Sequence, residues 1–315
     1  MTTLRKSLDD YLRLRRALGF KLRGPEAILR NLVDLAEQDG ARHITIDLAL
    51  RCARRPANGA TYTWSHRMTS VRLFAAWCKT RDPRTEVPDV NLLNASVTRQ
   101  QPFIFSQQQI ADVVREAAKL PCKRGLRSST FSTMFGLLGV AGLRISEAVA
   151  LDRDDIDLQT GLLTIRNTKF GKTRLVPVSE STIVALRRYT RLRDRALPAK
   201  TSRAFFISER GRRVTVWATR YNFALVSRVV GLRKPAGGHR HGHGPRVHDL
   251  RHSFAVRTMI DWYRTGADVE REMPKLSAYL GHAHINDTCW YIEAVPELLQ
   301  LATERLTRQR AGDRR

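Results

Sequence analysis

The 315-residue sequence predicts a mainly α fold with a small antiparallel β-sheet, divided between a helical N-terminal domain and an α+β C-terminal domain. Three observations predict it. Apolar residues recur at helical spacing through the first hundred positions, as at Val71, Phe74, Ala75 and Cys78. A polar stretch ending in proline, Ala95–Pro102, then breaks the pattern. Beyond it, two short β-rich runs, Leu162–Ile165 and Leu175–Val178, flank a turn containing Gly171. A chain of this length can bury two separate cores.

Leu8 and Leu12, with Tyr11, Leu14 and Leu18, predict a first helix with one apolar side. Pro25 opens a second, since its missing N–H is unneeded in a first turn; Ile28, Leu32 and Leu35 line that helix. A shorter helix is expected around Ile46–Cys52, then a loop at Arg54–Gly59 marked by its breakers, then the helix carrying Val71–Cys78. Residues 1–97 form this helical domain, residues 98–104 the linker and residues 105–315 the second domain. Ser106 and Gln109 make a capping box ahead of Ile110. Further helices are expected at 215–230, 248–263, 274–281 and 295–308, and Phe205–Ile207 as another short strand.

The charge balance narrows the partners. Fifty-five Lys and Arg against 30 Asp and Glu give +25, which suits a polyanion, because each phosphate neutralised by a cation releases condensed counterions. Charge does not say what is done to that polyanion. The four scattered cysteines contain no Cys-x-x-Cys pair, which favours free thiols in a reducing compartment over a disulfide framework or a zinc site. The N-terminus leads into an amphipathic segment and no run of about 18 apolar residues occurs, so a soluble cytoplasmic protein, associated with the nucleoid, is expected. The tract Gly237–Gly244 mixes glycine with histidine. Alternating glycines fix no ligand geometry, so a loop is expected there, with neither metal nor other cofactor.

The chemistry concentrates near the C-terminus. His248-x-x-Arg251, His282 and Tyr291 supply two imidazoles, a guanidinium and a phenol. Gly142-Leu143-Arg144-Ile145-Ser146-Glu147 adds a second guanidinium, and Lys169-Phe170-Gly171-Lys172, followed by Arg174-Leu175-Val176-Pro177, adds an ammonium. Cleaving a phosphodiester without a metal needs a nucleophile, charge to neutralise the pentacoordinate transition state, and a proton for the leaving oxygen. Guanidinia present parallel donors that match phosphate oxygens, and a Glu147 placed three residues after Arg144 shares its face.

In order and spacing these motifs resemble the tyrosine recombinase, or phage integrase, family over roughly residues 105–295. The resemblance implies a helical core-binding (SAM-like) DNA-clamp domain followed by the catalytic domain. It makes Tyr291 the nucleophile, Arg144 and Arg251 the phosphate clamp, His248 the partner in proton transfer, and His282 a donor to a non-bridging oxygen. Lys169 becomes the general acid, with Lys172 three residues away as the competing ammonium and Glu147 in support. Thr168 stands where the family hairpin commonly has Gly. His252 reads as structural, and Cys289 as packing. The implied activity is site-specific DNA recombination through a 3′-phosphotyrosine, independent of metal and ATP. The implied partners are double-stranded recombination sites, a homotetramer on DNA (monomer or dimer off it) and accessory bending or directionality factors, in a mobile element engaged in integration or transposition. Pro296–Arg308 is either exchanged with a neighbour or packed on its own domain. Two other readings stand beside it: a type IB topoisomerase-like relaxing enzyme, and a non-catalytic DNA-binding protein on the same scaffold.

Overall fold

The computed structural model describes residues 3–55, 61–93, 101–166, 173–197, 202–234, 244–282 and 284–312, without the side chains of 294 and 308–312. The chain divides into two compact units, Met1–Gln100 and Gln101–Arg315.

The first unit holds four helices: α1 (Leu4–Ala17), α2 (Arg23–Gln38), α3 (Ile46–Ala53) and α4 (Thr61–Lys79). Thr3 and Thr45 cap α1 and α3 by accepting from backbone N–H groups that have no helical partner. The core gathers Leu8, Leu12, Leu29, Leu32, Val33, Met68, Val71 and Phe74, all fully buried. Leu14 and Leu18 do not join it. They are 47% and 63% exposed, because the buried stripe of α1 is set by Leu4, Leu8, Tyr11 and Leu12, and Leu18 is already the C-cap. Pro25 lies inside the first turn of α2 rather than at its opening, which falls at Arg23.

The second unit begins with α5 (Gln107–Ala117), whose Ser106–Gln109 capping box forms in both directions. Next come α6 (Leu126–Ala141) and the short α7 (Ile145–Ala150). Strands β1 (Ile156–Asp157), β2 (Leu162–Ile165) and β3 (Arg174–Pro177) pair antiparallel in that order, with Leu163 opposite Val176. Leu163, Ile165 and Val176 turn into the core. Phe205–Ile207 is not a strand: single bridges tie Ala204 to Asp152 and Ile207 to Arg213, while Phe205 and Phe206 fill the core.

Five helices follow α8 (Glu180–Ala196): α9 (Val216–Val229), α10 (Val247–Thr265), α11 (Val269–Leu280), α12 (Asn286–Ala294) and α13 (Pro296–Gly312). Helix α11 starts five residues before the expected Pro274. Asp268 caps it, and the proline is carried inside the helix. Helix α10 spans two apolar clusters. Leu250 belongs to the larger one, built on α5, α6 and the sheet; Ala255 and Val256 belong to a second, shared with Leu280, Tyr291 and Leu298. Helix α13 packs on its own unit through Leu298, leaving Leu299 and Leu306 more than half exposed. Among the described residues no helix is long and apolar enough to cross a membrane, and all four cysteines are free thiols.

Candidate active site

Helix α6 ends at Gly142, whose φ of +59° is a left-handed cap; a Cβ there would lie 2.4 Å from the Phe254 ring. That turn delivers Arg144 to the N-cap of α7. Its Nη1 donates to Glu147 Oε1 at 2.8 Å and its Nη2 to the Gly281 carbonyl at 2.9 Å. Glu147 Oε2 accepts from the Arg144 backbone N–H at 2.9 Å, so one carboxylate fixes both ends of the arginine.

Arg251, one turn into α10, is 1% exposed. It donates to the Gly142 carbonyl at 2.8 Å and the Leu280 carbonyl at 2.7 Å. Arg144 Nη1 reaches the same Leu280 carbonyl at 3.4 Å. The two guanidinia, far apart in sequence, therefore converge on the end of α11. Burial, and then the nearby Arg144 charge, pull the Arg251 pKa down to about 10, while Glu147 and Tyr291 oppose them. The group stays charged near neutral pH.

A third guanidinium, present in the hairpin motif but given no role by the sequence, joins them. Arg174, at the start of β3, grips Glu147 with two bonds of 3.0 and 2.8 Å and donates Nε to the Tyr279 carbonyl at 2.7 Å. Burial pushes the Glu147 carboxyl up, but hydrogen bonds from Arg174 and the Arg144 backbone outweigh it and hold the group below the ordinary range. Gly281, at φ +68°, lets the turn after α11 pass this pair: a Cβ would stand 2.9 Å from Arg174 Nη1.

His282 follows that glycine, half-buried, and its Nδ1 lies 2.7 Å from the hydroxyl of the buried Thr288. Tyr291, on α12, is 2% exposed, and its Oη lies 2.7 Å from His252 Nδ1. His252 lies against the phenol, one helical turn after the exposed His248, with the two imidazole centroids 4.6 Å apart. The signal available in the sequence was the i, i+4 pairing of the two histidines; which one meets Tyr291 depends on how α12 packs against α10. Cys289 is partly buried against the second apolar cluster.

The structure thus brings together Arg144, Glu147, Arg251, His282 and Tyr291, and adds Arg174 and His252; His248 stands at the exposed mouth of α10. Lys169 and Lys172 lie outside the described residues, as does the Gly/His tract up to His243. Among the described residues no cluster of His, Cys, Asp and Glu is arranged to hold a metal.

Residues 105–297 match the model of the phage integrase family. The integrase/recombinase y4rB of Sinorhizobium fredii is 41% identical over 316 residues, covering 98% of each chain. Its y4rE counterpart in the same organism is 35% identical, covering 96% of this chain and 95% of its own. In fold, the chain is similar to the Tn1549 transposon integrase in complex with transposon right end DNA, at TM-score 0.65 and 18% identity over 97% of this chain and all of that one. Fold, site and relatives together define a tyrosine recombinase, a DNA strand-transferring enzyme. The chain belongs to the phage integrase family.

Proposed function

We propose that the chain is a site-specific recombinase of a mobile element that cuts and rejoins duplex DNA through a 3′-phosphotyrosyl intermediate. The observation that carries this reading is the convergence of Arg144 and Arg251 on one carbonyl, that of Leu280, beside the motif bearing His282 and Tyr291. Two preorganised cations at one point match the charge that develops on a phosphorane.

In this mechanism Tyr291 Oη attacks the scissile phosphorus, and the bond to the 5′-oxygen breaks. The arginines and His282 hold the non-bridging oxygens. Lys169 protonates the departing 5′-oxygen, with Lys172 as its competitor. The phosphotyrosine conserves the energy of the broken ester, so neither ATP nor metal is required for the 5′-hydroxyl of a partner strand to reverse the step. The phenol is 2% exposed, so attack on a scissile phosphate requires α12 to shift and present it. The first unit serves as the core-binding clamp, and the +25 charge supports its grip on the backbone. A tetramer assembles on two sites through exchange of α13, whose Leu299 and Leu306 are exposed. The likeness to a transposon integrase supports a mobile element as the setting.

A nicked suicide duplex carrying the target site tests the reading. Native protein accumulates a covalent adduct, while Tyr291→Phe binds the duplex and forms none. Undiminished adduct with that variant would place the nucleophile elsewhere.

A further inference from the structure

Helix α8 ends in a group of guanidinia that the active site does not use. Arg188, Arg191 and Arg195 recur at i, i+3 and i+7, so they share one exposed stripe of the helix. Arg124, from the loop before α6, is pinned beside them by donating to the Ala196 carbonyl at 3.3 Å. The four arginines surround an open depression of about 570 Å³, floored by Leu192 and Ala196, which pack on the core.

Among the described residues no carboxylate pairs with any of the four. Both carboxylates of α8 are turned to other arginines: Asp194 to Arg193 and Arg153, and Glu180 to Arg187. The adjoining stretch Pro198-Ala199-Lys200-Thr201 contains no acid. Like charges three and four residues apart repel and weaken a helix. The helix dipole offsets this only in the last turn, which accounts for Arg195 and leaves Arg188 and Arg191 uncompensated.

We infer that this stripe is a second phosphate-binding surface, gripping the backbone of the bound duplex beyond the segment held at the arginine clamp. The inference rests on the recombinase reading above, which supplies the duplex. Guanidinia match phosphate oxygens in pairs, and they do so without regard to base sequence. No aromatic residue lines the depression, so the bases of a single strand find no stacking platform. A second copy of the chain is a poor occupant, because it carries the same +25 charge.

Distance decides that the stripe needs phosphates of its own. A Cβ on Gly125, the N-cap of α6, would lie 3.8 Å from Leu192, whereas the other end of α6 is Gly142, whose carbonyl holds Arg251. The 16 residues of α6 put about 24 Å between stripe and clamp. Screening at physiological salt acts over about 8 Å, so these charges do not reach the scissile phosphate through solvent. Along a duplex the same separation is about seven base pairs. A few exposed arginines hold free DNA weakly, but the flank of a duplex already bound at the clamp is presented at high effective concentration.

Duplex length and salt test this together. Arg188→Gln, Arg191→Gln and Arg195→Gln, combined in one variant, remove the charges and keep the side-chain stems. The matching triple lysine variant keeps the charges. Binding is measured on duplexes carrying the target site that end about five or about 20 base pairs past the scissile phosphate, short of and beyond the stripe. On the long duplex, native affinity should fall about 40-fold further than that of the glutamine variant between about 50 and 200 mM salt, the effect of three phosphate contacts. The lysine variant should follow the native protein. On the short duplex all three proteins should bind alike and, when it is nicked, form adduct at the same rate. Equal salt dependence of native and glutamine proteins on the long duplex would overturn the inference. So would an equal loss on the short duplex, or a difference reproduced when the flank is supplied as a separate duplex. Absence of adduct with native protein on either nicked duplex would instead sink the recombinase reading itself.

Discussion

Glu147→Gln removes one negative charge and almost no volume from a carboxylate that holds two guanidinia. Its side chain is 6% exposed, and it pairs with Arg144 at 2.8 Å and Arg174 at 2.8 Å. Removing the buried partner of an ion pair typically costs about 3–5 kcal/mol, an upper range here because Arg144 and Arg174 keep 26% and 12% of their side chains exposed. For a unit of this size Tm moves roughly 2–4 °C per kcal/mol, so melting should fall by about 6–20 °C. The loss should depend on pH in a defined direction. The Glu147 carboxyl is held below its ordinary value of 4.5, so its stabilisation is fully present above that pH and disappears as pH falls through the lower folded value. The gap between native and variant melting should therefore be widest near neutrality and close on acidification. Arg144 also loses the contacts that fix its backbone and its tip, so adduct formation should slow by about 100- to 1,000-fold, the cost of a lost or misplaced charge donor. Calorimetry across pH, with suicide-substrate kinetics below the variant's melting point, measures both. A variant melting within about 2 °C of native protein, less than 1 kcal/mol on this scale, and cleaving at the native rate would refute the claim that Glu147 organises the clamp.

Gly281→Ala should cost about 1–2 kcal/mol from its left-handed backbone, and slow cleavage further by pressing on Arg174, read by melting and adduct rate. Gly142→Ala should be worse, since the added carbon meets the Phe254 ring rather than a flexible side-chain end; overpacking adds about 1–3 kcal/mol to the backbone term. Thr288→Val removes the hydroxyl that orients His282, and should cost about 1 kcal/mol of positioning, a several-fold loss of rate with binding unchanged. Of Lys169→Ala and Lys172→Ala, the one whose cleavage is restored by a 5′-sulfur leaving group identifies the general acid; restoration of neither would place that acid elsewhere.

Much of the site was legible because its chemistry sits in short local motifs. Arg144 and Glu147 share a turn opened by Gly142, and Arg251 follows at a fixed helical offset from His248. The capping box at Ser106 and the β2–β3 pairing were local as well, and both formed. What the sequence hid depends on contacts across long separations. Arg174 and Glu147 meet over 27 positions and His252 and Tyr291 over 39, so neither periodicity nor spacing signals them. Leu14 and Leu18 fit the helical period of α1 and still face solvent, because period says which residues share a face and not where the neighbouring helices end. Pro274 suggested a helix start, whereas the cap that starts α11 is Asp268.

Mapping the protein–DNA bond bears most directly on the central reading. Native protein trapped on a nicked duplex, digested and sequenced by mass spectrometry, should yield one peptide carrying nucleotide, with the 3′-phosphate on Tyr291. Nucleotide on Cys289, a histidine or any other tyrosine, or linkage through a 5′-phosphate, would contradict it.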